Sequence, residues 1–273
     1  MPQPLAAATA SRLATIRYVL TDIDDTLTTE GRLPARAYAA LEALDAAGIA
    51  VIPVTGRPAG WCDAIARQWP VAAVVGENGA LWYAMDRAAR RMRRWQAQPE
   101  AERLRGHDRL MALAGEALLA VPGSALSADQ PFRLFDVAID FCEDAGPLGL
   151  DAAQRIAALF AAGGAQAKIS SIHVNAWIGA WDKRAGIEAL FAARFAPLET
   201  LEGQVAFIGD SGNDAPLFAA IGCSVGVANV APFLAGMETP PAFITRAEGG
   251  AGFAEFADAL LKARGTTLEE NAA

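Results

Sequence analysis

Cysteine is scarce in this chain of 273 residues. The three copies, Cys62, Cys142 and Cys223, are far apart, odd in number and in no Cys-x-x-Cys pair. That fits a reducing compartment, with all three expected as buried thiols, and a chain this long needs no disulfide staples. Positive charge is also short: 23 Lys+Arg against 31 Asp+Glu leave a formal net charge of −8. A general nucleic-acid or anionic-membrane surface is therefore not expected. No run approaches the roughly 18 apolar residues of a membrane span. The opening MPQPLAAATASRL has neither a basic n-region nor a sustained apolar core, so no signal peptide is read and the expected location is cytoplasmic. Internal repeats and low-complexity linkers are absent too. What remains is an ordinary globular composition, 53% hydrophobic and 20% charged, rich in alanine.

The charge is unevenly spread. Between Ala84 and Trp181 there are 11 Lys+Arg and 11 Asp+Glu, leaving 12 against 20 for the flanks, a first hint of two domains. The flanks alternate two periodicities. IRYVLT (16–21), IAVIPV (49–54) and VAAVV (71–75) read as buried strands, separated by helices opened by Pro34 and Pro58. The pattern resumes with a helix capped by Asp182, strands at QVAFIG (204–209), CSVGVA (223–228) and AFIT (242–245), a short helix from Ala215 to Ile221, and a last helix around Phe253 to Leu261. The final RGTTLEENAA reads as frayed. Such alternation predicts a doubly wound α/β core with right-handed parallel crossovers.

The middle differs. ALWYAM (80–85) and RRMRRWQ (90–96) suggest a hairpin, Leu104 to Leu119 and Asp151 to Phe160 are helical, and FRLFDVAIDF (132–141) alternates like a half-exposed strand. KISSIHVNAWI (168–178) alternates again. The expectation is an α+β unit over 84–181 inserted into a core made of 1–83 and 182–273.

Chemistry gathers where the core strands end. In an open parallel sheet the crevice lies beyond the carboxyl ends of the strands. The first strand is followed by Asp22-Ile-Asp24-Asp25-Thr26, the second by Thr55-Gly56-Arg57, and the late strand by Gly209-Asp210-Ser211-Gly212-Asn213-Asp214. Lys183 begins a helix feeding the same rim. Carboxylates this close need a cancelling charge, and a hard divalent cation such as Mg²⁺ supplies it. Asp22, Asp210 and the backbone carbonyl of Asp24 are natural ligands. A carboxylate held there stays ionised and can attack phosphorus. Asp24 can protonate the leaving oxygen and later take a proton from water, while Thr55 and Lys183 stabilise the phosphoryl oxygens. Asp25 reads as a loop former, and Gly56, Gly209 and Gly212 as tight-turn residues.

DIDDTLT, VTGR, Lys183 in WDKRAGIEAL and GDSGNDAPLF together resemble the four motifs of the haloacid dehalogenase superfamily, in order and spacing. The long insert resembles the type IIB cap of Cof-like and sugar phosphatases, and ENGA (77–80) and VGVANV (225–230) fit that branch. The resemblance implies a Rossmann-like core. It makes Asp22 the nucleophile, Asp24 the general acid/base, and Thr55 and Lys183 phosphoryl ligands. Mg²⁺ would sit on Asp22, Asp24 and Asp210, with Asn213 and Asp214 in support. Asp24 argues for phosphate chemistry, since true dehalogenases of this superfamily lack it.

The implied function is hydrolysis of a small phosphorylated metabolite, a sugar phosphate, through an aspartyl phosphate. The sugar stays open among sucrose-, trehalose- and mannosyl-glycerate-type substrates. A phosphomutase of the same branch and a non-catalytic sugar-phosphate binder are the alternatives, and oligomeric state is not legible. Substrate contacts are expected from Thr55, Gly56, Arg57, Asn78, His173, Asn175 and Trp177, the last three sharing one strand face as a polar pair and an aromatic suited to a sugar. Arg87, Arg90, Arg91, Arg93 and Arg94 read as a solvated hairpin face or, alternatively, a grip on a second substrate anion. Trp181 is expected to pack at the domain junction and His107 at the surface.

Overall fold

The computed structural model describes residues 1–170 and 172–266. Strand β1 (Gln3–Pro4) and helix α1 (Ala10–Ala14) precede β2 (Tyr18–Thr21), α2 (Ala35–Ala46), β3 (Ala50–Pro53), α3 (Ala59–Gln68) and β4 (Val74–Gly76). A hairpin follows, β5 (Leu81–Asp86) and β6 (Arg91–Gln96). Next come α4 (Glu100–Ala120), β7 (Ala125–Leu126), β8 (Asp136–Asp140), α5 (Gly149–Ala162), β9 (Gln166–Ile169) and β10 (His173–Trp177). The chain then runs through α6 (Lys183–Arg194), β11 (Val205–Gly209), α7 (Ala215–Ala220), β12 (Cys223–Gly226), β13 (Phe243–Ile244) and α8 (Gly249–Ala263). Most of the RGTTLEENAA segment lies outside the described residues. Among the described residues, no helix is long and apolar enough to cross a membrane.

The central sheet has six parallel strands in the order β1-β13-β12-β11-β2-β3. Strands β2, β3, β11 and β12 are buried on both faces, so their apolar residues split by alternation. Val19, Val51, Ala206 and Ile208 face one cluster with α2, α3 and α8, while Leu20, Ile52, Val205 and Phe207 face another with α6 and α7. Helix α2 presents Ala37, Ala40, Leu41 and Leu44 to the first cluster and ends where Gly48 turns left-handed at φ +71°. The third expected strand, β4, meets this sheet through the isolated bridge Val54–Val75. It pairs instead with the hairpin in a three-stranded antiparallel sheet β4-β5-β6.

The expected boundary at 83/84 falls inside β5, a continuous strand. Leu81 and Tyr83 join one core cluster and Trp82 and Ala84 the other, so the hairpin packs as part of the core. Beyond it, the sheet β7-β8-β10-β9 is antiparallel and has its own cluster. Val137, Ile139, Val174 and Ala176 point into that cluster, with Leu110, Ile156 and Phe160 of α4 and α5. The opposite face carries Asp136, Asp140, His173 and Asn175.

Here two expectations need correction. The strand within 132–141 is not half-exposed: all of β8 is buried, because its polar face lies against the core, and Phe132 ahead of it is exposed. The single alternating run expected over 168–178 is a hairpin, β9 and β10, with Ser171 outside the described residues. The thiols also divide: Cys62 and Cys223 are buried and Cys142 is exposed.

Candidate active site

The strand order reverses between β2 and β11, which leaves a crevice at their carboxyl ends. Asp22 is the first residue past β2, and its backbone N–H donates to the Ile208 carbonyl at 3.0 Å, tying it to β11. Lys183 Nζ donates to Asp22 Oδ1 at 2.8 Å and to Asp214 Oδ1 at 2.9 Å. Asp214 Oδ2 accepts the backbone N–H groups of Asp210 (3.1 Å) and Ser211 (3.3 Å), so both its oxygens are engaged. Gly209 permits this: a Cβ there would stand 2.5 Å from Asp214 Oδ2, so its role is close approach and not a turn. Thr26 Oγ1 donates to Asp210 Oδ1 at 3.2 Å. Asp25, at φ +55°, donates its N–H to Thr28 Oγ1 and gives its carbonyl to Asn229 Nδ2, a loop role.

Asp22, Asp210 and Asp214 each offer an oxygen within 4.8 Å of the others, all buried. Burial pushes the Asp22 carboxyl up to about 7; Lys183 pulls it down, and Asp214 and Asp24 push it further up. Asp210 rises to about 9 through burial, Asp214 and Asp22. Burial alone would lower the Lys183 ammonium, but Asp214 and Asp22 outweigh it and hold the group charged. One ammonium does not balance three buried carboxylates, and an all-oxygen donor set of this kind fits a hard divalent cation. With both Asp214 oxygens taken, Asp22 and Asp210 are the carboxylates free to reach such an ion.

Thr55 is buried and its Oγ1 accepts the Arg57 backbone N–H at 3.0 Å. Gly56 faces Asn78 and Asn175, each about van der Waals distance from where its Cβ would stand. Asn78, only 6% exposed, lines the cleft, and its Nδ2 has no hydrogen-bond partner among the described residues. Asn213 and Ser211 also line it, and Ser211 Oγ lies 2.8 Å from Asn213 Oδ1. His173 and Asn175 descend from β10, Asn175 Nδ2 donating to Asp136 Oδ2 at 3.1 Å.

Trp177 keeps the face of His173 and Asn175 but does not line the cleft with them. The residue is 1% exposed within a core cluster, its Nε1–H donates to the Trp181 carbonyl at 3.2 Å, and it borders a separate hollow beside the cleft. Trp181 packs edge-on against Phe135, as a junction residue should. The arginines of the hairpin stay away from the cleft: Arg94 pairs with Asp63, Arg93 with Asp86, and Arg87 donates to the Arg67 and Trp69 carbonyls.

Arg57, also expected to meet substrate, is buried and holds Asp24 through Nε and Nη2 at 3.0–3.1 Å. The sequence reading missed its other partners, Glu143 and Asp129, and missed Arg133 and Lys168 as cleft residues. The Arg133 side chain is buried, donating to Asp129, Asp136 and the Gly56 carbonyl. Glu77 was also unforeseen. Its carboxylate accepts N–H groups from Ala59 in the core and from Leu134, Phe135 and Asp136 in the insert, pinning one to the other.

Residues 19–97 match the family of haloacid dehalogenase-like hydrolases. The match runs from β2 to the end of the hairpin, the first part of the core. Haloacid dehalogenase-like hydrolases generally use a divalent metal, in keeping with the carboxylate cluster. The same fold is found in Thermoplasma acidophilum 0175, at TM-score 0.66 and 15% identity over 90% of this chain and 98% of that one. It recurs in the sucrose-phosphatase from Synechocystis, whose structure holds sucrose and phosphate (TM-score 0.62, 18% identity, 87% and 95% covered). A haloacid dehalogenase subclass IIB sugar phosphatase is similar as well (TM-score 0.59, 14% identity, 91% and 99% covered). No curated protein matches the sequence.

Proposed function

We propose that this hydrolase is a Mg²⁺-dependent phosphatase of a small phosphorylated metabolite, a sugar phosphate, acting through a phosphoryl group on Asp22. The observation that carries the reading is the buried set of Asp22, Asp210 and Asp214 around Lys183 at the sheet's switch point. Asp22, Asp210 and the Asp24 carbonyl would hold the cation, with Asp214 and Asn213 in support. When bound, it supplies neutralisation of the crowded carboxylates and of phosphoryl charge.

Asp22 attacks phosphorus, the bond to the leaving oxygen breaks, and Asp24 gives that oxygen a proton. A water then bonds to phosphorus and passes its proton to Asp24. The bond to Asp22 breaks, and phosphate leaves with Asp22 regenerated. Thr55, Lys183 and the unpartnered Asn78 donor stabilise the phosphoryl oxygens.

The unit from the end of the hairpin to Trp181 serves as a cap. The cleft beneath it has room for about 30 Å³, a water or two, so substrate enters only when the cap lifts and is sealed from solvent when it returns. His173, Asn175, Ser170 and Lys168 are among the cap residues that line the cleft and would face the leaving group. Their hydrogen-bonding character suits a sugar, and the sugar phosphatases of similar fold favour the same class.

The test is phosphate release from a panel of sugar phosphates and other phosphorylated metabolites, with Mg²⁺ and with chelator. Metal-dependent release concentrated on one sugar class is expected. Folded protein that releases none with Mg²⁺ present would overturn the reading.

A further inference from the structure

The Asp24 carboxylate has one strong partner, Arg57, whose Nε and Nη2 reach both its oxygens at 3.0–3.1 Å. An arginine on its flexible stem does not hold such a geometry unaided. Here the guanidinium stacks over Trp61 at 4.5 Å and is gripped from the cap: Nη2 also donates to Glu143 Oε1 at 3.0 Å, and Nη1 lies 3.6 Å from Asp129 Oδ2. The other Glu143 oxygen lies 2.9 Å from His173 Nε2.

Glu143 is itself held still. The backbone N–H groups of Cys142, Glu143, Asp144 and Ala145 all donate to the Asp140 carboxylate at 2.8–2.9 Å. Asp140 is 1% exposed, ends β8, and is the register partner of His173. A buried acid thus moulds the turn that presents Glu143, and an unbroken line runs from the cap sheet through Glu143 and Arg57 to Asp24. Glu143 does not line the cleft.

We propose that Glu143 is a positioning residue for proton transfer: with the cap docked, it fixes Arg57 and thereby sets the Asp24 carboxylate, so the group that handles the proton is in place only over a closed site. The inference rests on the proposed role of Asp24. Asp24 acts in both half-reactions, and the one that does not depend on the leaving group is hydrolysis of the phosphorylated Asp22. There the water oxygen bonds to phosphorus, its proton goes to Asp24, and the electron pair of the breaking bond returns to Asp22. When the cap lifts, Glu143 leaves with β8 and Arg57 loses its outer anchor. That half-reaction is common to every substrate, so loss of Glu143 slows all of them by one factor.

The experiment compares wild type, Glu143→Ala, Glu143→Gln, Arg57→Ala, the Glu143→Ala/Arg57→Ala double variant and Asp24→Asn. Each is assayed on p-nitrophenyl phosphate and on the best sugar phosphate, with melting temperature as a check on folding. Glu143→Ala is expected to lower kcat about 10-fold or more by the same factor on both substrates, with KM falling in parallel and a burst of leaving group. Gln keeps an acceptor for Arg57 and retains more activity. In the Arg57→Ala background, removing Glu143 has no further effect. Unchanged kcat, a loss confined to the sugar phosphate, or additive losses in the double variant would overturn the inference. Asp24→Asn with wild-type rates would overturn the role of Asp24 beneath it.

Discussion

Lys183 Nζ stands between Asp22 and Asp214, 2.8 Å from one and 2.9 Å from the other, with all three side chains buried. A cation in the first turn of α6 opposes the helix dipole, yet this position puts it where two strand-end loops bring carboxylates together. It holds the proposed nucleophile in place and neutralises part of the cluster.

Replacing that ammonium with an isosteric apolar group therefore does two things. Lys183→Met leaves Asp22 and Asp214 crowded and unpaired, and breaking a buried pair in this way costs about 3–5 kcal/mol. A thermal melt in chelator should show the loss, and added Mg²⁺ should restore part of it by compensating the carboxylates. Phosphate release should fall about 10²–10³-fold, the usual cost of removing one preorganised charge donor. A variant as stable as wild type in chelator would show that Lys183 does not balance the cluster.

Gly209 tests the same arrangement sterically. Alanine there would put its Cβ 2.5 Å from Asp214 Oδ2 and 2.8 Å from its Cγ, within a strand that cannot shift freely. The expected cost is about 1–3 kcal/mol of stability, with a larger proportional loss of phosphate release because Asp214 and Lys183 move together. Full activity in Gly209→Ala would mean that Asp214 does not need its present position.

Acid should loosen the grip between cap and core through Glu143. His173 first, then Arg57, against the opposing effect of burial, hold its carboxyl down at about 2, from an ordinary 4.5. A depressed carboxyl stabilises the fold fully above the unfolded value and loses that contribution as pH falls through the folded one. Asp129, whose carboxyl is also held low, shares Arg57 and shapes the same transition. Denaturant titrations of wild type and Glu143→Gln should thus differ most at neutral pH and converge between pH 4.5 and 2. A gap that stays constant over this range would remove Glu143 from the interface.

The core of this site was open to sequence reading because its residues lie at places local rules identify. Asp22, Thr55 and Asp210 each follow a short β-branched run, and the sheet's topology brings such ends together. The strands β2, β3, β11 and β12 were legible for the same reason. The two-residue β1, paired with β13 from the far end of the chain, carries no periodicity to read.

The cap side was harder because its residues are fixed by contacts distant in sequence. Glu143 and Arg57 are 86 positions apart, and Glu77 reaches backbone groups 57 to 59 residues away. Alternation made β8 look half-exposed, but the solvent on its polar face is replaced by the core. The same burial places Arg133, a charged residue in an unremarkable stretch, at 5% exposure. Trp177 shares the alternation of His173 and Asn175, yet the close of the strand carries its ring into the junction with Trp181.

The most direct measurement of the central claim is whether Asp22 carries the phosphoryl group. The enzyme is mixed with substrate and Mg²⁺, quenched in acid during the first turnovers, digested, and the peptides weighed. The account predicts one added phosphoryl group on the peptide containing Asp22, absent in chelator and in Asp22→Asn. A label on another residue, or turnover that persists in Asp22→Asn, would contradict it.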